Sequence, residues 1–582
     1  MKIEIIESLL VVWRVLPPFA KRRASLLVLL MAVATVLEAL GLGMIVPFIG
    51  ALISTSVAGQ ISSTGLVHKI LLSISGYSLQ TIILCLLFLF VFKNFFLVSL
   101  AFFQTKFVFK LEAELSKGLL VNYLDRPYSY FANHNSALLI RNIIGEVSNF
   151  CHNAVAPILG LLSELLIAGG ILTLLIIVNP VGALFMAIVL SLIGFMFHRL
   201  LRHKVAHWGE ERQYHEGMRL QKLQESFGAI KEIKIAGLQS QFYTEYARHT
   251  DGSCSSGRRQ QTIQSLPRLF LEVLAVFGLV LAVLLIPSQE RVVIVPLLGL
   301  YAASAFRLMP SANRILNALQ ALRFSKSSIE LIAKEHVAVI SRKDVTCEES
   351  LPFLHRISMK DVTFTYSEGA PPVFEAVNLE IEKGDIVCVV GLSGSGKSTL
   401  IDVLCGLLTP TSGQLLVDDT CVDRTEHLWH KHIAYVPQSI FLVDGTIKDN
   451  ITLGVAESDI DTAHLAEIVK LCGLEEFIDT LTNGLDTSVG ERGAKLSGGQ
   501  KQRIGLAREI YRARDVLVLD EATNALDANT EAEVVANISQ SNMQMTVIWI
   551  THGITPIKFA NKLITVESSG VTVKALDSEV LP

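Results

Sequence analysis

The chain of 582 residues sets 50 Lys and Arg against 54 Asp and Glu, a formal charge of -4, with 51% hydrophobic and only 18% charged residues. A soluble domain is about a quarter charged, so the deficit points to long membrane-spanning stretches and excludes disorder, collagen and coiled coil. The near-neutral balance also removes the global positive field that attracts a phosphate backbone, so no nucleic acid is expected as a partner. The eight cysteines form no CxxC pair, which indicates neither a disulfide framework nor a zinc site.

Residues 24–53 contain a single charged residue, Glu38. At about 1.5 Å per residue this stretch exceeds the roughly 30 Å hydrocarbon thickness of a bilayer. It is too long for the apolar core of a signal peptide, so a span with a cytoplasmic N-terminus is predicted. Further apolar runs near 81–103, 154–178, 180–197, 269–287 and 292–312 bring the prediction to six spans. Basic residues test the arrangement, because Lys and Arg concentrate on the cytoplasmic side. Lys106, Lys110, Lys117, Arg126 and Arg141 lie between spans two and three, and a longer basic set from Arg199 to Arg259 lies between spans four and five, whereas the opposite loops carry Lys69 and Arg291. Both long loops are therefore expected in the cytoplasm. The apolar spacing of Leu220, Leu223, Phe227 and Ile230 predicts that the spanning helices continue into it. The outer loop at 54–80 places Leu66, Ile70, Leu71 and Ile74 at helical spacing, which leaves an interfacial helix and an ordered loop both open.

Four cations, Lys93, Arg268, Arg307 and Arg314, fall in or near spans two, five and six. An ionised side chain is costly there, so it faces a partner or a water-filled path. Arg307 and Arg314 share a helical face, and Pro310 between them is expected to kink the helix. Two readings stay open. The cations line a path for an anionic cargo such as a phosphate or pyrophosphate headgroup, or they pair internally, Arg268 with Glu272 four residues on, with Glu38 and Glu164 as further acids.

After residue 330 charged residues return. The composition predicts a spanning domain at 1–330, a polar linker at 331–354 and an α/β domain at 355–582. In that last domain an apolar run through Val390 enters Gly391-Leu-Ser393-Gly394-Ser395-Gly396-Lys397-Ser398-Thr399 and then a helical pattern. Strand, glycine loop and helix make a phosphate cradle: backbone N–H groups surround the phosphates, Lys397 adds charge and Ser398 can ligate a metal. A second apolar strand pattern ends in Asp520 and Glu521, suited to holding Mg²⁺ and polarising a water.

Between them stands Leu496-Ser497-Gly498-Gly499-Gln500, and with it this half resembles the nucleotide-binding domain of ATP-binding-cassette transporters. The family's other motifs follow in order: Tyr366, Gln438 after Val436-Pro, Asn524-Ala-Leu-Asp527, and His552 after Ile550-Thr. Six spans ahead of one cassette resemble an exporter half-transporter. The resemblance implies ATP and Mg²⁺ as cofactors, with Tyr366 stacked on adenine and the metal held by Ser398, Gln438 and Asp520. It implies Glu521 as the catalytic carboxylate, and Gln438 and His552 as sensors of the γ-phosphate. Ser497 and Gly498 would close over the γ-phosphate held by the other subunit in a homodimer, with Gly499, Gln500 and Asp527 as further nucleotide-binding residues. Stretches at about 125–136 and 225–239 match the coupling helices of such exporters. Two positions depart from the family, Gly553 where Arg is common and Asn524 where Ser is usual, and neither is expected at the phosphates.

The run Phe306-Arg307-Leu-Met-Pro310-Ser-Ala-Asn313-Arg314-Ile315, with Ser265-Leu-Pro267-Arg268, narrows the resemblance. It is similar to the flippases that move lipid-linked oligosaccharides in bacterial protein N-glycosylation, with Lys93 where an arginine is expected. This implies a polyprenyl-pyrophosphate glycan as an anionic cargo, moved between leaflets of the bacterial inner membrane. The alternatives are a multidrug, lipid or peptide exporter, or an ATP-gated channel or signalling module.

Overall fold

The structure, a computed structural model, describes residues 2–44, 79–178, 180–285, 291–336, 351–367, 369–422, 426–524, 526–540, 545–551, 553–567 and 570–576. The outer loop expected at 54–80 lies almost entirely outside them, as does His552. The chain divides into two compact units, 1–126 with 131–344, and 127–130 with 345–582.

The first unit is helical. Helix α1 (Lys2–Val15) breaks at a Pro-Pro step, and Pro18 opens α2 (Pro18–Gly43), where its missing N–H leaves no bond unmade. Helix α3 (Leu79–Leu124) has 46 residues and so reaches about 70 Å, more than twice a bilayer's hydrocarbon core. Its exposed Phe88, Phe95 and Phe102 form an apolar face suited to lipid. Short α4 (Tyr128–Asn133), whose first three residues belong to the second unit, and α5 (Ser136–Arg141) follow in the chain, the latter capped by the Asn135 side chain, which accepts from the Ala137 N–H at 2.8 Å. Two π-helical turns, Asn142–Glu146 and Cys151–Val155, flank α6 (Val147–Phe150) before α7 (Ala156–Val178).

Helix α8 (Pro180–Gly228) has 49 residues. Short α9 (Ile230–Ala236) ends at Gly237, whose φ of +67° suits a residue without a Cβ. Helices α10 (Gln239–Leu285), α11 (Arg291–Phe324) and α12 (Lys326–His336) complete the unit. Each of the six predicted spans falls on one of the long helices α2, α3, α7, α8, α10 and α11 as far as it lies among the described residues, and α3, α8 and α10 run well past their spans, as the predicted extensions require. Among the described residues, Pro18–Gly43, Ile83–Leu124 and Ser136–Ile177 are long and apolar enough to cross a membrane. Helix α11 continues through Pro310. Helix α12 runs to His336, so the polar stretch predicted from 331 begins as helix.

Small residues set the closest helix approaches. A Cβ on Gly170 would lie 2.8 Å from Thr35 Cγ2, packing α7 on α2, and one on Gly209 would lie 2.0 Å from the Phe324 carbonyl oxygen.

The second unit holds two sheets. Strands β1 (Arg356–Phe364), β2 (Phe374–Glu382), β4 (Ser412–Val417) and β5 (Thr420–Cys421) form an antiparallel sheet in the order β2-β1-β4-β5. The other sheet has the order β10-β9-β3-β8-β7-β6, from β3 (Ile386–Gly391), β6 (Ile433–Val436), β7 (Val516–Asp520), β8 (Thr546–Ile550), β9 (Lys562–Glu567) and β10 (Gly570–Ala575). All its pairings are parallel except β10 with β9. Strands β7 and β8 are buried at every residue, as apolar runs covered on both faces must be. Because β3, β8, β7 and β6 are neighbours running the same way, the loops after them emerge side by side. Those strand ends and loops carry the glycine cradle, Thr551, Asp520 with Glu521, and Gln438. The C-terminal edge of a parallel sheet is where such folds bind ligands.

Candidate functional site

The glycine loop leaves β3 and enters α13 (Lys397–Leu404). Gly391, Gly394 and Gly396 adopt φ of +156°, +79° and +97°, values that side chains rarely adopt. A Cβ on Gly391 would lie 2.2 Å from the Val566 carbonyl oxygen, and one on Gly396 2.6 Å from Val373 Cγ1. Space as well as φ therefore demands glycine at both. The Lys397 ammonium is buried and donates to the carbonyls of Gly391 and Leu392 at 2.9 Å each. The Ser395 hydroxyl is buried without a hydrogen-bond partner. A phosphate would satisfy that hydroxyl and the ammonium together at the open N-terminus of α13, so the residues fit the phosphates of ATP. Ser393 and Ser398 are exposed on either side of the cradle, and Thr399 is buried, its hydroxyl 2.8 Å from the Tyr366 hydroxyl. Tyr366 stands edge-on to Phe364 at 5.1 Å and remains 65% exposed, which leaves its ring available for stacking.

Asp520 ends β7 and accepts from the Tyr435 hydroxyl at 3.0 Å. Burial raises its carboxyl above the ordinary range, and the charge of Glu521 adds to the effect against the pull of Tyr435 and Lys397. Asp402 on α13 is pushed up to about 6 by burial and then by Asp520. Glu521 lies in the left-handed region at φ +49°, and its N–H donates to the Ile550 carbonyl at 3.1 Å. Its Oε2 accepts from Gln438 Nε2 at 2.7 Å and from Asn524 Nδ2 at 2.9 Å. Among the described residues no cluster of three His, Cys, Asp or Glu could hold a metal ion. Mg²⁺ needs no such cage, since it takes one or two carboxylates and completes its shell with water and phosphate oxygens. Ser398, Asp520 and Gln438 supply hard oxygens of that kind.

Ser497 caps α14 (Gly498–Tyr511): its Oγ accepts from the Gln500 N–H at 3.3 Å, and its own N–H donates to Gln500 Oε1 at 2.8 Å. Ser497 and Gly498 are exposed, with Gly499 and Gln500 half-buried behind them. Asp527 accepts from the Thr530 N–H at 3.0 Å and the Thr530 hydroxyl at 2.7 Å, and those bonds lower its pKa.

In the first unit the four cations are paired. Glu38 is 3% exposed and accepts from Arg307 Nη2 at 2.9 Å on Oε1 and from Lys93 Nζ at 3.2 Å on Oε2. The Lys93 ammonium also lies over the Phe90 ring at 4.4 Å. Arg314 meets Glu164 at 2.6 Å, and Arg268 meets Glu272 at 2.9 Å in an exposed pair. The structure brings Lys93 and Arg307 together and gives Arg314 and Arg268 separate acids.

Comparison with known proteins agrees with this geometry. The family described as the ABC transporter transmembrane region matches residues 26–290, and the ABC transporter family matches residues 374–524, together about seven-tenths of the chain. The chain belongs to the ATP-binding-cassette exporters. It is a half-transporter of that family, a multi-pass membrane protein with one spanning domain and one cassette, and its hydrolysis of ATP is coupled to transport. The chain is 26% identical over 486 residues to an ATP-dependent lipid A-core flippase of Ralstonia nicotianae, covering 81% of this chain and 80% of that protein. A flippase of the same name from Francisella tularensis subsp. tularensis is 26% identical over 493 residues, covering 82% and 78%. The solved structure of a bacterial Atm1-family ABC exporter with ATP bound shares the fold, with a TM-score of 0.77 over 96% of each chain at 19% identity.

Two residues beside the ATP site lie outside the motifs, and a third stands in a motif without its contact being foreseen. Tyr435 lies two places before Pro437 in a strand, and strand alternation sets it apart from Val436, a signal visible in sequence once β6 is recognised. Asp402 gave no signal beyond its place on the helix after the loop. Asn524 was noted only as a departure from the family's usual Ser, away from the phosphates; its amide bonds the carboxylate of Glu521.

Proposed function

We propose that this exporter works as a homodimer that flips a polyisoprenoid-pyrophosphate-linked oligosaccharide, or a related anionic glycolipid, across the bacterial inner membrane. The observation that carries this reading is the Glu38 cluster, where two cations share one buried acid and leave a net positive charge among the spans. A buried excess charge is costly unless an anion answers it at some stage of the cycle. A pyrophosphate can accept from the Arg307 fork and the Lys93 ammonium at once, whereas an uncharged drug offers neither. Arg314 and Arg268, now on Glu164 and Glu272, would extend the same path.

At the cassette, Gly391 to Thr399 hold the phosphates and Tyr366 stacks on adenine. Ser398, Asp520 and Gln438 hold Mg²⁺, which neutralises charge developing on the phosphates, and Glu521 polarises the attacking water. Gln438 and His552 sense the γ-phosphate. Ser497, Gly498, Gly499, Gln500 and Asp527 of each subunit close over the nucleotide of the other, giving two competent sites. Cassette and N-terminus lie in the cytoplasm. Helices α4 and α9, which stand within the stretches expected to couple, carry cassette closure to the spans as rigid tips.

The names of the relatives favour a second cargo, a lipid A-core lipid. The test reconstitutes the purified protein in proteoliposomes with a fluorescent polyprenyl-pyrophosphate glycan, and in a parallel arm with a labelled lipid A-core lipid. ATP-dependent flipping of the first, reduced at least tenfold in Arg307→Ala and partly kept in Arg307→Lys, is expected. Flipping of the lipid A-core lipid alone would select the second cargo, and hydrolysis with neither flipped would discard both.

A further inference from the structure

We infer that Asn524 is a positioning residue for the hydrolytic step, holding the Glu521 carboxylate in place. The inference rests on the reading of Glu521 as the group that polarises water.

The geometry comes from three bonds. The Asn524 N–H donates to the Glu521 carbonyl at 3.2 Å, closing a tight turn, and the Asn524 Nδ2 donates to Glu521 Oε2 at 2.9 Å. Glu521 is anchored at its other side by its N–H on the Ile550 carbonyl, at a φ of +49° that a non-glycine residue adopts only when its surroundings require it. The glutamate backbone is thus pinned to β8, and its side chain is pinned by a residue three places ahead.

Gln438 donates to the same oxygen, but from the loop after β6. Two amides from separate loops therefore fix one carboxylate oxygen, and between them they restrict rotation of the side chain. A base must lie within hydrogen-bond reach of the proton it takes, and a misplacement of about 1 Å costs as much as a hundredfold in rate. Side-chain length matters here. A serine hydroxyl at 524 stops one bond nearer the backbone than the amide nitrogen of asparagine, so the bond to Oε2 requires the longer residue.

The test uses the full-length protein in lipid, with kcat and KM for ATP measured for wild type, Asn524→Ala, Asn524→Asp and Glu521→Gln. Asn524→Asp keeps the shape of the residue and removes its donor, so it guards against a folding artefact in the alanine variant. A fall in kcat of tenfold or more in both Asn524 variants is expected, with KM for ATP within twofold. In single-turnover experiments on a Glu521→Gln background, Asn524→Ala is expected to add no further loss. A kcat within twofold of wild type, a loss carried in KM, or the same loss repeated without Glu521 would each overturn the inference. Should Glu521→Gln itself retain full turnover, the role of Glu521 fails first, which separates the two claims.

Discussion

The ATP site and the Glu38 cluster both gather acids and cations, yet they treat them in opposite ways. In the cassette the buried Ser395 hydroxyl has no partner, and Lys397 rests on two carbonyls rather than on an acid. In the spans every one of the four cations already holds a carboxylate. A site that waits for its ligand leaves polar groups unsatisfied, because filling them from within would compete with the ligand. A site that must release its ligand keeps an internal acid to take the cation back. On this view the cassette binds ATP without first breaking an ion pair, whereas cargo in the spans has to displace Glu38.

The sharpest way to break that contrast is at the cassette. Glu521→Gln should lower steady-state ATP hydrolysis by about 10²–10⁴-fold, the usual loss for a general base, while a fluorescent ATP analogue still binds. Turnover near the wild-type rate would remove Glu521 from its role. Next in size are the ion pairs of the first unit. Removing one partner of a buried pair costs about 3–5 kcal/mol, so Glu38→Gln, which leaves Lys93 and Arg307 without an anion, should lower the thermal midpoint in detergent by more than about 5 °C. Lys326→Ala breaks the pair of Lys326 with Glu330, which lies past the last predicted span and whose side chains are 50% and 67% exposed, and should stay within about 2 °C of wild type. Equal effects would erase the distinction between the two settings.

The smallest effect is one of pH. Asp402 is held near 6 in the folded cassette by burial and by Asp520, above its ordinary 3.8. The folded state therefore keeps a proton that the unfolded chain gives up, and stability declines as pH rises from about 4 to about 6, then stays level. Without nucleotide, Asp402→Asn should raise the midpoint at pH 8 by about 2–4 °C, a discounted figure because the side chain is only partly buried, and change it little at pH 4. A gain of the same size at both pH values would contradict the assignment.

What could be read from the sequence followed the same division. The phosphate loop was legible because its chemistry fixes both residue type and spacing, and Gly391 and Gly396 admit no side chain in the structure. The parallel strands were legible from apolar runs, and their order at the sheet edge explains why motifs more than a hundred residues apart converge. The partners of the cations were legible only for Arg268 and Glu272, which lie one helical turn apart. Glu38 reaches Lys93 across 55 positions and Arg307 across 269, distances that no periodicity encodes. The bond from Asn524 to Glu521 was not legible, because a departure from a family pattern says nothing of where its side chain points until the turn at Glu521 is built.

If the Glu38 cluster serves an anionic cargo, cassette turnover answers to an anionic headgroup in the spans. The ATPase rate of the reconstituted exporter, titrated with a short-chain polyprenyl pyrophosphate and separately with an uncharged polyprenyl glycoside of equal chain length, decides this. Stimulation by the pyrophosphate alone is expected, and an equal response to both lipids would remove the anionic headgroup from the coupling.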